Sequence, residues 1–290
     1  MTTELRTCAV EAKPITDADT WAVAEFLQRE MGRRMSVADW HRYMIAPGDF
    51  DQPNHGYFLH DGGRVVGAYL ALYSERVIYG RTRSICNLGV WCVVPEHRAS
   101  GLRLLRSLLR QRGYSFTDLT PSLSVVELNT RLGFIALDTT TALVPNLPGP
   151  LRSRRARVVD NPNEIDRLLS GRDQAIYRDH AATAVHHVVL ASGDQSCYVM
   201  FRRERCKGVR CFASIMYVGN PDLFRICARY FYRYLLVRHR IIGTLVEIRV
   251  VGHRPKKSVI IANSPKMFLS DDLEATQVDY LYSELTCRSW

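Results

Sequence analysis

The chain has 290 residues, 47% hydrophobic and 23% charged, a globular balance long enough for two domains. No apolar run approaches the roughly 18 residues that a membrane-spanning helix needs, and Met1-Thr2-Thr3-Glu4-Leu5 lacks a basic start followed by an apolar stretch, so neither a span nor a secretory signal is expected and a cytoplasmic protein is. The net charge of +10 invites an anionic partner, and the eight cysteines are scattered without a C-x-x-C pair, which favours free thiols and no metal. Lysine occurs only at 13, 207, 256, 257 and 266, so the charge is almost all arginine; guanidinium forks suit phosphates, and a genome-wide arginine bias gives the same skew.

Leu5 to Ala12 reads as a strand, and Asp17 or Asp19 can cap a helix from Thr20 to Met31 with Trp21, Ala24, Leu27 and Met31 at helical spacing. Ser36-Val37-Ala38-Asp39 has the form of a capping box for a second helix through Tyr43. Gly56 to His60 and Arg64 to Tyr73 read as strands joined at Asp61-Gly62-Gly63, whose glycines tolerate the positive φ of a tight hairpin. Ser84 to Val94 is a further strand that Pro95 closes, because proline cannot continue a central ladder. From Ser100 to Arg112, leucines at 102, 104, 105, 108 and 109 face one way, with Arg103, Arg106 and Arg110 along the other, until Gly113 stops the helix. A strand at Phe116 to Leu119, a helix from Ser122 to Leu132 and a strand from Phe134 to Val144 follow.

Pro145 to Pro150 and the arginines at 152, 154, 155 and 157 read as an exposed connector, giving domains at 1–145 and 161–290 with a linker at 146–160. The second half predicts helices at Glu164 to Leu169 and Gln174 to Ala182, then strands at Val185 to Leu190, Ser196 to Arg202 and Val209 to Val218. A helix from Asn220 to His239 and a strand from Ile241 to Val251 complete an order that echoes the first half, so a degenerate internal repeat is one reading; any α/β chain shows such successions.

The loop after the strand at 84–94 is the most informative stretch. A strand stopping at proline, a turn with Gly101 and an immediate helix present unpaired N–H groups and the positive end of a helix dipole to an anion. Arg98 adds charge before the turn, Gly101 lets a phosphate approach the backbone, and Arg103 and Arg106 can reach outer phosphates.

Val93-Val94-Pro95-Glu96-His97-Arg98-Ala99-Ser100-Gly101-Leu102 resembles the acyl-CoA signature of the GNAT superfamily, Arg/Gln-x-x-Gly-x-Gly/Ala after a strand. Asn129-Thr130-Arg131-Leu132-Gly133-Phe134 resembles that family's late motif ending in Leu-Gly-Phe, and the likeness covers residues 5 to 144. The resemblance implies an α/β (α+β) fold, a mixed central sheet flanked by helices, with a second α/β domain. It also implies acetyl-CoA or another acyl-CoA as cofactor, held by Val93, Val94, Arg98, Ala99, Ser100, Gly101, Leu102, Arg103 and Arg106. Two positions depart from the pattern: Arg103 stands where the signature ends in Gly or Ala, and Asn129 stands where many members carry a proton-donating tyrosine.

The implied reaction is direct transfer of an acyl group to a small-molecule amine, with a strand amide near Val93 stabilising the oxyanion. Candidates for the base, by strand position, are Glu75, Tyr73, Asn87 and Cys92; Glu75 reads more simply as a solvated strand-end charge and Cys92 as a core thiol, while Glu96 and His97 cap the loop or face solvent. His186-His187 point to opposite faces of a strand and read as structural. Tyr230, Phe231, Tyr232 and Tyr234, interleaved with Arg225, Arg229, Arg233 and Arg238, could bind nucleic acid, though a buried helix with an arginine rim explains them more simply. Alternatives to the acetyltransferase are a tandem-GNAT transferase taking aminoacyl groups from tRNA and a non-catalytic protein binding CoA or nucleic acid. Val218-Gly219-Asn220-Pro221-Asp222 places an acid where a diphosphate needs donors, leaving the second half to pack, shape the cleft or form a homodimer face.

Overall fold

The computed structural model describes residues 10–32, 35–45, 47–48, 50–149, 156–206 and 209–287. The chain divides into two compact units, Met1–Leu119 with Phe268–Asp272, and Thr120–Met267 with Leu273–Trp290. Each holds a mixed sheet flanked by helices. Of the strand expected at the N-terminus, residues 5–9 lie outside the described set, as do most of the arginines of the connector.

The first unit runs β1 (Glu11–Pro14), α1 (Thr20–Met31), α2 (Val37–Met44), β2 (Gly56–Asp61), β3 (Arg64–Ile78), β4 (Arg81–Val93), α3 (Gly101–Leu109) and β5 (Tyr114–Asp118). The sheet order is β1-β2-β3-β4-β5, antiparallel except for β4 and β5, and Phe268 and Leu269 of the short strand Met267–Leu269 extend it beyond β5. The capping box at α2 forms as its sequence predicts: the Asp39 amide donates to Ser36 Oγ, and the Ser36 amide to Asp39 Oδ2, each at 3.1 Å. Asp19 does not cap α1. Its carboxylate instead accepts the Thr16 amide at 3.0 Å and closes a 3-10 turn one step earlier.

The apolar face of α1 is rotated from the expected one. Val23, Ala24, Phe26 and Leu27 are buried with Trp40, Tyr43, Phe58 and Leu70, whereas Trp21 is 52% exposed and stacks on His41 at 4.4 Å. On the opposite face of the sheet, α3 buries Leu104, Leu105 and Leu108. β3 runs five residues past its expected end because Tyr79 and Gly80, with φ of 47° and 74°, form a second tight turn into β4.

The second unit comprises α4 (Leu123–Arg131), β6 (Ile135–Ala136), β7 (Thr141–Pro145), β8 (Arg157–Val159), α5 (Pro162–Leu168), α6 (Gly171–His180), β9 (His186–Ser192), β10 (Gln195–Cys206), β11 (Val209–Val218), α7 (Pro221–His239), β12 (Gly243–Glu247), α8 (Ile248–Val251) and β13 (Val259–Ile261). Its sheet order is β13-β7-β12-β11-β10-β9-β8, with β11 and β12 parallel. Two expected strands are broken. The stretch from Phe134 to Val144 is interrupted where Asp138 Oδ1 accepts the Thr140 amide at 2.9 Å, an Asx turn that competes with the ladder. The stretch from Ile241 to Val251 is a strand only to Glu247, then a single helical turn. Phe224, Cys227, Phe231 and Leu235 of α7 pack on Leu190, Val199, Ala213 and Val246 of this sheet. Among the described residues no helix is long and apolar enough to cross a membrane, and no group of three His, Cys, Asp or Glu could hold a metal.

Candidate active site

β4 carries the geometry that makes a site. Its register with β3 runs from Ile78↔Arg81 to Ala71↔Leu88, then resumes at Tyr69↔Trp91, so Gly89 and Val90 face Leu70 alone and form a bulge. Parallel pairing with β5 stops at the same point, at Leu88↔Asp118. From Gly89 to Val93 the strand therefore keeps only its β3 partner among the described pairings, leaving one edge of main-chain groups for an extended ligand.

Pro95–Ser100 forms a 3-10 turn that leads without a break into α3. The His97 amide donates to Val94 O at 3.0 Å and the Gly101 amide to Arg98 O, so the turn satisfies two of its own donors. Gly101, expected to face a phosphate, is buried: a Cβ added there would lie 3.4 Å from Val93 Cγ2 and 3.5 Å from Trp91 Cζ2. Its small size seats the helix on β4. Arg98, Ala99, Leu102, Arg103 and Arg106 are exposed, Ser100, Val93 and Val94 partly so, and Arg103 donates to Val10 O at 2.6 Å. Arg98 and Arg106 have no ion-pair partner among the described residues. With the first turn of α3 they form a donor set suited to phosphate, while Trp91 Nε1, beside Gly101, is buried and has no hydrogen-bond partner among the described residues.

An open cavity of about 420 Å³ lies at this end of β4, lined by Arg29, Glu30, Asp61, Arg64, Val65, Val66, Val94, Pro95, Glu96 and His97. His97 Nε2 stands 3.4 Å from Asp61 Oδ2 and Arg29 Nε 2.9 Å from Glu30 Oε1. Apart from Val94 and the loop, the sequence reading did not single these residues out; they meet because the tip of the β2–β3 hairpin and the end of α1 arrive beside β4.

The catalytic candidates are not gathered together. The Tyr73 hydroxyl is buried, donates to Asn54 Oδ1 at 2.7 Å and accepts from Gln111 Nε2 at 2.9 Å; burial, then the Cys86 thiol, push it far above the ordinary phenol range. Asn54 carries a local signal, since its Oδ1 also accepts the Gly56 amide at 2.8 Å in an Asx turn before a glycine. Glu75 is exposed and pairs with Ser84, nine residues from Val93, or roughly 30 Å along the strand. Cys92 pairs with Ala68 and so faces the side opposite Tyr73; burial, then Glu30, push its thiol up to about 11. Asn87 is buried and donates to Thr117 Oγ1 at 3.0 Å, and Asn129 is fully buried in α4 of the second unit. In the second unit, His187 Nδ1 bonds Tyr198 Oη at 2.8 Å and His186 stacks on Phe201 at 5.0 Å.

A mixed sheet whose one parallel strand pair parts at a bulge, beside a helix entered from a short loop, defines an α/β class of fold. Solved structures make it specific: the chain has the fold of the GCN5-related N-acetyltransferases. It matches one from Anabaena variabilis at 14% identity and TM-score 0.59 over 89% of this chain and 72% of that one. It matches another from Kribbella flavida at 16% identity and TM-score 0.58 (90% and 71%), and Eis1 from Mycobacterium abscessus at 16% and 0.53 (91% and 75%). At such identities the likeness is one of fold. No protein-family model matches the chain, and no curated protein matches it.

Proposed function

We propose that the chain is an acyl-CoA-dependent N-acyltransferase that uses acetyl-CoA and acylates the amine of a small molecule. One observation carries this reading: the bulge at Gly89–Val90 and the end of β5 pairing at Leu88 leave a main-chain edge leading toward the start of α3, where Arg98 and Arg106 have no ion-pair partner among the described residues. Acyl-CoA, when bound, supplies an acyl group activated as a thioester. Arg98, Arg106 and the first turn of α3 would neutralise its phosphates, the edge from Gly89 to Val93 would bond its amide-bearing arm, and a main-chain N–H near Val93 would polarise the reacting carbonyl. Tyr73 and Cys92 keep their protons at neutral pH, and Glu75 is too distant from Val93 to act there. The groups placed to take a proton from an incoming amine are Glu30, Asp61, Glu96 and His97 in the cavity.

We read the second unit as a diverged copy of the first. The order β8-β9-β10-β11-β12 repeats β1-β2-β3-β4-β5, the last pair is again parallel, and β11 is again bulged, at Met216 between Tyr217↔Met200 and Ile215↔Phe201. The corner after β11 has no space for a phosphate: a Cβ on Gly219 would fall 2.1 Å from Asp173 Oδ2, because that carboxylate already fills it. Cofactor binding is assigned to the first unit alone.

A second reading, a CoA-binding protein without turnover, is favoured by Tyr73 and Cys92 holding their protons, which leaves them no role as base, and by an amide, Asn129, at the position of the proton-donating tyrosine. Calorimetry with acetyl-CoA, paired with release of free thiol across a panel of amines, separates the two. Binding with thiol release supports the enzyme; binding without release for every amine supports the second reading; no binding overturns both.

A further inference from the structure

We propose that the second unit carries a nucleic-acid docking face along the exposed side of α7. The charge of the chain is divided unevenly. The first unit has 15 Lys and Arg against 15 Asp and Glu, whereas the second has 24 against 14, so the whole excess of +10 lies in the second. A codon bias toward arginine would enrich both units alike and does not account for a charge confined to one.

Within that unit, α7 buries Leu223, Phe224, Cys227, Ala228, Phe231 and Leu235 and turns the opposite side outward. Arg225, Arg229 and Arg233 follow one another at four-residue spacing on that side, the first two exposed and the third half-buried, and Arg240, exposed, caps the end of the helix. Arg225 has only a loose contact with Asp222, at 3.5 Å, and Arg229, Arg233 and Arg240 have no carboxylate partner among the described residues. Four residues of helix advance about 6 Å, near the separation of neighbouring phosphates on one strand, so the row can meet successive phosphates. The row is arginine throughout, whose planar fork grips phosphate oxygens in pairs. Ile226 and Val237, 73% and 67% exposed, flank the row without adding an acid. The face needs nothing from the acyl-CoA site.

The test uses the full chain and fluorescence anisotropy with a labelled 20-base-pair DNA duplex and a hairpin RNA, between 50 and 200 mM NaCl. The variant Arg225→Gln/Arg229→Gln/Arg233→Gln is compared with Arg81→Gln/Arg110→Gln/Arg112→Gln, which removes the same charge from the first unit. We expect the α7 variant to bind at least tenfold more weakly at 50 mM salt. The slope of log affinity against log salt should fall by about 2.7, or about 0.9 for each lost phosphate contact, with the melting temperature of the protein unchanged. The first-unit variant should bind like the parent. The proposal is overturned by absence of parent binding at 50 mM salt or by equal losses in the two variants. It is overturned too if poly-glutamate or phosphatidylserine vesicles compete as well, charge for charge, as duplex, which would assign the face to an acidic protein or a bilayer.

Discussion

The indole of Trp91 lies flat on the ring of Tyr69, centroids 4.7 Å apart and planes 4° from parallel, and its outer edge covers Gly101 at the start of α3. The stack and the glycine are one packing unit, through which β4 fixes where the helix begins. A Cβ at Gly101 would make ordinary contacts, so Gly101→Ala should change stability by no more than about 1 kcal/mol. Trp91→Ala removes the stack and should cost about 2–3 kcal/mol. Urea unfolding of both variants checks the order; a larger loss for Gly101→Ala would contradict this packing. Arg98→Glu should weaken acetyl-CoA binding in calorimetry, because it sets a carboxylate where phosphates are proposed to lie.

Tyr73 is a structural hydroxyl in this fold. Tyr73→Phe removes the donor to Asn54 Oδ1, which still accepts the Gly56 amide, so a loss of about 1–2 kcal/mol is expected. The pH profile of acyl transfer should not move; a displaced limb would make Tyr73 a candidate base again.

The Cys92 thiol, raised to about 11 by burial and by Glu30, is protonated at neutral pH. Its alkylation by iodoacetamide at pH 7.5 should run roughly a hundredfold or more slower than that of free cysteine, whose pKa is about 8.5. Peptide mapping of the labelled protein reads this directly, and rapid labelling at Cys92 would show that the strand end opens to solvent.

His187 is held neutral, its pKa lowered to about 4 by burial first and by His180 second. The unfolded chain, with an ordinary histidine near 6.5, binds the proton more readily between these values. Stability from this residue is therefore complete above pH 6.5 and lost as pH falls toward 4, by roughly 3 kcal/mol. His187→Gln should flatten that part of the curve of urea midpoint against pH; an unchanged curve would place the acid sensitivity elsewhere.

Local chemistry was legible in the sequence. The Ser36–Asp39 capping box, the Asp61-Gly62-Gly63 turn and the strand stop at Pro95 each depend on a few adjacent residues, and each appears where its pattern places it; of the leucine face of α3, Leu104, Leu105 and Leu108 are buried and Leu102 is exposed. The Tyr79–Gly80 turn was missed because tyrosine is a poor mark of positive φ, and the outward Trp21 because an exposed ring can stack on His41 as well as enter a core.

What the sequence determined alone is most of the succession of elements through α7 and the surplus of arginine. What only the tertiary structure decided is which side chains share a space. Cys86 and Cys92 are six residues apart, and in an unbroken strand both would face Tyr73; the extra residue at Gly89–Val90 reverses the alternation, so Cys86 faces Tyr73 and Cys92 faces Glu30. Likewise the charge total is in the composition, but its confinement to one unit depends on how the chain is partitioned by folding. Strand pleating repeats every two residues, so one inserted residue, whose position is set by contacts distant in sequence, reassigns every side chain beyond it.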